Sequence, residues 1–236
     1  MSILSDLQTK KLGLFELIAL GCDLYLKHFR SFFLLLCLVL PFSIILQILS
    51  LNIPSNSALF IPLSIYCLFY IFVVTPTYIM AVSIFTEGYV LEENPQLDVV
   101  IRKILPRIIP FTGLNLRYII GYSLRLLLLF VPGIIYSVNN GYFAIAFVLR
   151  DQRGKAAFQY SRSLVKGNWW KVFFFTILVL TTSFGLQTLT STVLNSIITN
   201  SPILVAVLSN ILTSLVLVGV GISSVLLFLN LDFQKQ

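Results

Sequence analysis

Histidine occurs once in the 236 residues, and aspartate and glutamate together only nine times. That scarcity removes most chemistry at the outset. General acid–base catalysis draws on His, Asp and Glu held at one site, and metal centres draw on clusters of the same residues with cysteine. His28 stands alone in a basic segment at the entry to an apolar run, a place that suits an interfacial residue better than a catalytic one. Glu92, Glu93 and Asp98 share a stretch with Arg102 and Lys103 and read as a solvated charged face rather than a metal site. The three cysteines, Cys22, Cys37 and Cys67, lie singly in or beside apolar segments and read as small buried hydrophobes. The glycines form no phosphate-cradling pattern. The expectation is a protein that is not an enzyme, with no catalytic residues, no cofactor and no metal ligands.

Charge as a whole is in short supply. Charged residues make up 11% of the chain and hydrophobic ones 58%, against about 25% and about 45–50% in a soluble globular domain. A water-soluble surface cannot be coated with so little charge. The longest polar stretches, 87–107 and 150–170 beside the first residues, are each too short to bury a core. The start of the chain lacks the basic, apolar and small-residue order of a cleaved leader, so none is expected. A bilayer crossing takes about 20 predominantly apolar residues. The expected fold is therefore an all-α integral membrane protein, one polytopic domain over 1–236. Six transmembrane helices are expected near 31–51, 58–85, 111–131, 133–149, 171–194 and 203–229. Pro41 falls in the first, a kink is expected around Pro76 in the second, and Pro132–Gly133 turns the third into the fourth.

The charge that is present is placed asymmetrically. Fourteen of the sixteen Lys and Arg lie at 10–30, 102–107, 150–171 and 235, and the acids lie in or beside the same stretches. The connections at 51–57, 132–133 and 195–202 carry none. By the positive-inside rule the charged side, with both termini, is expected to be cytoplasmic. Three hairpins result, each preceded by a short basic amphipathic interfacial helix. Lys27 and Arg30, Lys103 and Arg107, and Lys166 and Lys171 hold comparable places at the membrane entry. This is either a threefold repeat or a recurrence of interface chemistry.

The third of these segments is the most distinctive. Lys155, Gln159, Arg162 and Lys166 form one polar stripe, with Ala157, Phe158, Ser161, Leu164 and Val165 opposite, and Trp169, Trp170 and Lys171 follow. Lys155, Arg162, Lys166, Trp169, Trp170 and Lys171 make a candidate anionic-lipid surface on a helix expected to lie in the interface plane. It either anchors the bundle or recognises a lipid headgroup or an acidic partner. The expected partners are membrane lipids with anionic headgroups, with a membrane protein as a further option and no nucleic acid.

A second cluster lies within the spans: Arg117, Tyr122, Arg125, Asn139 and Asn140. Intramembrane charge is expensive and often functional. Counted outward from Pro132–Gly133, Arg125 and Asn140 reach equal depth and Asn139 is one step shallower. Arg125 is thus expected to be hydrogen-bonded by one of these amides; otherwise Arg117 and Arg125 snorkel to opposite interfaces. No Asp or Glu is expected inside a span. Thr181, Thr182, Ser183 and Gln187 in the fifth span, and Asn210, Ser214, Gly221 and Ser224 in the sixth, suggest close helix packing or, with Arg125, a polar cavity.

The run from Leu126 to Phe175 carries a Pro-Gly-Ile turn, a span, a polar loop, and then Ala157, Arg162, Ser163, Leu164, Lys166, Gly167, Trp169 and Trp170. In this it resembles the membrane domain of bacterial glycerophosphoryl diester phosphodiesterases and the related YciC-like inner-membrane proteins. The resemblance implies a six-span protein of the bacterial inner membrane. The phosphodiesterase domain of such proteins is a separate soluble barrel with acidic metal ligands, and this chain has neither, so that activity is not implied. Two roles follow: a non-catalytic scaffold or accessory protein of the cell envelope, or a transporter or flippase-like carrier for a small anionic or lipid-derived molecule that Arg125 contacts. A water-accessible cavity reaching Arg125 favours the carrier, and a dry interior favours the scaffold.

Overall fold

In hydrocarbon a backbone must satisfy its hydrogen bonds within its own segment, so long apolar runs fold as helices. The computed structural model describes residues 3–54 and 56–235, and no strand occurs among them. In chain order the helices are α1 (Ile3–Thr9), α2 (Leu14–Lys27), α3 (Phe29–Asn52), α4 (Phe60–Phe69), α5 (Thr75–Val90) and α6 (Leu97–Ile104). They continue as α7 (Ile108–Leu128), α8 (Phe130–Asn140), α9 (Phe143–Leu149), α10 (Lys155–Val165), α11 (Trp169–Ile197) and α12 (Pro202–Phe233). Among the described residues, five helical stretches are long and apolar enough to cross a membrane: Phe29–Asn52, Phe60–Val90, Phe130–Leu149, Trp169–Ile197 and Pro202–Phe233. The protein is an all-helical membrane protein.

Helix α3 runs through Pro41. The irregularity expected around Pro76 is a π-helical turn, Tyr70–Val74, immediately before it. Pro76 has no N–H to continue the i→i−4 ladder, and its ring crowds the turn behind it; a widened turn relieves both. The third expected span corresponds to α7, which carries Arg117 and Arg125 and is not among the five apolar stretches.

The turn between α7 and α8 falls at Leu129, whose backbone is extended (φ −159°, ψ 138°), rather than at Pro132–Gly133. Pro132 instead occupies the first turn of α8, where its missing N–H costs nothing. Gly133 lets the two limbs close up, since a Cβ there would sit 3.1 Å from Leu126 Cα. The fourth expected span is broken at Gly141–Tyr142 into α8 and α9. The Ser161 hydroxyl satisfies the break, accepting from Tyr142 N (3.2 Å) and donating to the Asn139 carbonyl (2.9 Å).

Two expectations about burial are corrected. Cys37 is exposed on the outside of α3 and Cys22 and Cys67 are only half-buried, because the outer face of a spanning helix meets lipid and need not be covered by protein. Thr181 and Thr182 are likewise exposed, and the Thr181 hydroxyl donates to its own helix at Ile177 O (2.9 Å) rather than packing a neighbour. The polar face of α12 does join helices: Asn210 Nδ2 donates to Gln47 Oε1 of α3 at 3.0 Å.

One end of the bundle gathers the start of α3 and the ends of α5 and α12. His28 stacks on Tyr89 at 3.7 Å, and Tyr89 Oη donates to Ser31 Oγ at 2.7 Å. Asn230 Nδ2 holds the N-terminal segment through the carbonyls of Leu7 (2.9 Å) and Lys10 (2.8 Å). Helix α2 lies directly on α12 at Gly21, where a Cβ would strike Ser223 Oγ and come within 2.8 Å of the Gly219 carbonyl.

Candidate functional site: a basic cleft beside an apolar cavity

Helical spacing puts Gly113, Arg117, Gly121 and Arg125 on one face of α7, and Lys155, Gln159 and Arg162 on one face of α10. The fold turns these two faces toward each other across Tyr136 of α8, enclosing a cleft of about 570 Å³. Four basic side chains line it, Arg117, Arg125, Lys155 and Arg162, and no acid does. None of the four is ion-paired with a carboxylate among the described residues. Two clusters that are far apart in sequence, the intramembrane arginines and the amphipathic helix, thus meet in one place.

The arginines are held by neutral groups. Arg162 Nε donates to Asn140 Oδ1 at 2.9 Å, and buried Asn140 is itself fixed by its Nδ2 on Tyr136 O at 2.7 Å. Arg125 Nη1 donates to Gly121 O at 2.7 Å, and its guanidinium lies 4.2 Å from the centre of the Tyr136 ring. Arg117 lies 5.9 Å over Phe158. Cation–π contacts of this kind orient a guanidinium without neutralising it. Gly121 admits the tyrosine, since a Cβ there would lie 2.6 Å from Tyr136 Oη.

The expected pairing of Arg125 with Asn139 or Asn140 is therefore wrong. Equal depth on two limbs does not fix rotation about α8. Asn140 is turned to α10 and takes Arg162, and Tyr136, one helical turn nearer the tip, takes Arg125. Asn139 borders a separate recess of about 500 Å³ with Trp169 and Trp170. Tyr122 stacks on Tyr118 (6.3 Å, 5°) away from the cleft. Lys166 follows the end of α10 and is exposed, and Lys171 Nζ donates to Asn230 Oδ1 at 3.3 Å. Of the expected lipid surface, only Lys155 and Arg162 reach the cleft.

Behind the cleft stands an aromatic wall. Phe143 stacks on Phe158 at 5.3 Å and on Tyr118 at 4.7 Å, and Tyr118 meets Tyr136 at 5.7 Å. Phe158 and Tyr136 line the cleft, whereas Phe143 and Tyr118 line a second cavity, also about 570 Å³, among α5, α7, α8, α9, α11 and α12.

Sequence reasoning missed a half-buried ionic network, centred on buried Asp232, at the charged end. Arg150, just past α9, donates from Nη1 to Glu87 Oε1 (2.5 Å) and from Nε to Asp232 Oδ2 (2.7 Å), and the Tyr160 hydroxyl donates to Asp232 Oδ1. Both acids lie in the last turns of long helices, beyond the expected span ends at 85 and 229, because α5 and α12 run on to Val90 and Phe233. Burial alone would lower the Arg150 pKa, but its bonds to Glu87 and Asp232 outweigh that and raise it. The Tyr160 hydroxyl is pushed up to about 12 by burial and by its bond to Asp232. Arg150 is 63 residues from Glu87 and 82 from Asp232, so no local spacing announces the network. No family model, curated protein or solved structure matches the chain.

Proposed function

We propose that this is a non-catalytic membrane protein that binds an anionic, lipid-derived molecule in the cleft between α7, α8 and α10 and acts as a carrier for it, in the manner of a transporter or flippase. The observation that supports the reading is the convergence of Arg117, Arg125, Lys155 and Arg162 on one cleft with no acid in its lining. Like charges brought together in one cleft repel, and an anion relieves that repulsion. Asn140, the Gly121 carbonyl and Tyr136 hold the guanidiniums in place before any ligand arrives, which lowers the ordering cost of binding. The scaffold role calls for a dry interior, and a cleft that reaches Arg125 suits it less well.

The same proposal takes α7 as a sixth crossing, with the charged end of the bundle and both termini in the cytoplasm. The resemblance to the phosphodiesterase membrane domain supports a bacterial inner membrane. Purification in native lipid followed by mass spectrometry of the retained lipids tests the reading. Anionic species should be enriched over neutral ones, and Arg125→Gln with Arg162→Gln should abolish the enrichment. Equal retention of neutral and anionic lipids would refute it.

A further inference from the structure

The apolar cavity stands two stacked aromatic rings from the basic cleft, and we propose that the two together form one site for a whole membrane phospholipid, with its phosphate among the four cations and one acyl chain in the cavity. The inference rests on the reading of the cleft as an anion site and adds what the rest of the ligand must be.

The cavity's rim and floor differ. At the rim, Ile71, Ile79 and Leu180 are 39%, 38% and 51% exposed, while Val138, Tyr142 and Val225 behind them are buried. The opening is therefore framed by apolar side chains on the outer surface of a membrane protein, where the surrounding medium is acyl chain. The wall is mostly apolar, with Asn115, Tyr78, Tyr118 and Tyr142 as its open polar side chains. The hydroxyls of Ser137, Thr176 and Ser224 donate to carbonyls of their own helices, at Ile134, Val172 and Val220. A cavity of about 570 Å³ falls in the range of ligand pockets, roughly 300–1,000 Å³. Protein interiors are otherwise close-packed, yet a Cβ added at Gly221, on the cavity wall, would meet no heavy atom within 4 Å. Bilayer lipid is the one abundant apolar ligand at such a mouth, and the cations across the wall select a lipid whose headgroup ends in phosphate. The wall of Tyr118 and Phe143 then passes between the phosphate and the bound chain, held at ring-stacking distance from the cleft residues Tyr136 and Phe158.

The full chain in phosphatidylcholine nanodiscs provides the test, with dioleoyl phosphatidic acid, glycerol phosphate and inorganic phosphate as probes. Phosphatidic acid should bind at least about tenfold more tightly than glycerol phosphate, because its chain, already out of water in the bilayer, fills the loosely packed cavity and supplies the dispersion contacts its lining lacks. Gly221→Leu, which places a side chain in the cavity, should remove most of this advantage and leave glycerol phosphate binding unchanged. Arg125→Gln with Arg162→Gln should weaken both probes. If the arginine pair weakens both but Gly221→Leu leaves phosphatidic acid untouched, or if glycerol phosphate binds as tightly as the lipid, the acyl site is wrong and the cleft stands. If the arginine pair changes neither, the cleft reading itself fails, and this proposal with it. A wild-type measurement covers poor folding of the variants: phosphatidic acid with a diazirine at mid-chain should crosslink to Ile79, Val179 and Val225. Crosslinks confined to the outward residues Phe184, Leu189 and Val193 would overturn the proposal.

Discussion

At the scale of single residues, Asp232 carries the largest electrostatic burden. Its side chain is 2% exposed, and it receives both Arg150 and the Tyr160 hydroxyl. Removing one partner of a buried pair leaves an uncompensated charge, at about 3–5 kcal/mol. Arg150 and Glu87 keep 21% and 18% of their side-chain surface in solvent, so Asp232→Ala should cost near the lower end, about 3 kcal/mol. Asp232→Asn, which keeps an acceptor, should cost less. Thermal unfolding in detergent measures both. Tyr160 adds a pH signature. Its folded pKa, about 12, lies above the ordinary 10.0, so the unfolded chain loses that proton first. The stabilisation is complete below pH 10 and is lost as pH rises toward 12. Tyr160→Phe should flatten the alkaline loss of stability over that window; an unchanged profile would show that Tyr160 ionises freely. His28 works in the other direction. Burial first, and Lys27 second, lower its pKa from 6.5, so the stabilisation is present above that value and declines as pH falls through the lower folded one. As the only histidine, it gives a single imidazole resonance by NMR, whose midpoint should lie below 6.5 and return toward it when Tyr89→Ala removes the stacked ring.

At the scale of elements, the contact between α2 and α12 depends on one missing methyl. A Cβ at Gly21 would meet Ser223 Oγ, the Gly219 carbonyl at 2.8 Å and Ser223 N at 2.9 Å, and two of these are backbone atoms that cannot rotate away. Gly21→Ala should cost about 1–3 kcal/mol by overpacking, and Gly21→Val should push α2 off the bundle. Limited proteolysis between α1 and α3 would reveal it, and a protease-resistant Gly21→Val would show that α2 has room to shift. The positions of the long helices were legible in the sequence because apolar length alone specifies them. The break between α8 and α9 was not, since the hydroxyl that satisfies it, Ser161, comes from another helix. The α10 half of the basic cleft was also visible as a helical stripe, and Arg117 and Arg125 as intramembrane charges, though not as one face with Gly113 and Gly121. Their meeting was not, because it depends on how α10 is rotated against α8, which Asn140 and Arg162 settle through a contact between elements. The depth count that paired Arg125 with Asn140 failed for the same reason.

At the scale of the whole molecule, the distribution of charge makes orientation testable. Glu87, Arg150, Asp232 and Tyr160 join at one end of the bundle, and the starts of α3 and α11 lie there too, through His28 on Tyr89 and Lys171 on Asn230. The linkers from α3 to α4 and from α11 to α12 carry no charge, although position 55 of the first lies outside the described residues. Lys and Arg are retained on the cytoplasmic side during insertion, so the uncharged linkers should face the periplasm. Single cysteines at Asn56 and Ser201, in a chain with Cys22, Cys37 and Cys67 replaced by alanine, should react with an impermeant maleimide in intact cells. A cysteine at Lys155 should react only after the membrane is permeabilised. The opposite pattern would invert the molecule and place the mouth of the basic cleft on the outer face. A carrier of anionic lipid would then load from the periplasmic leaflet, and basic residues beside the cytoplasmic leaflet could no longer explain why Lys155 and Arg162 sit where they do.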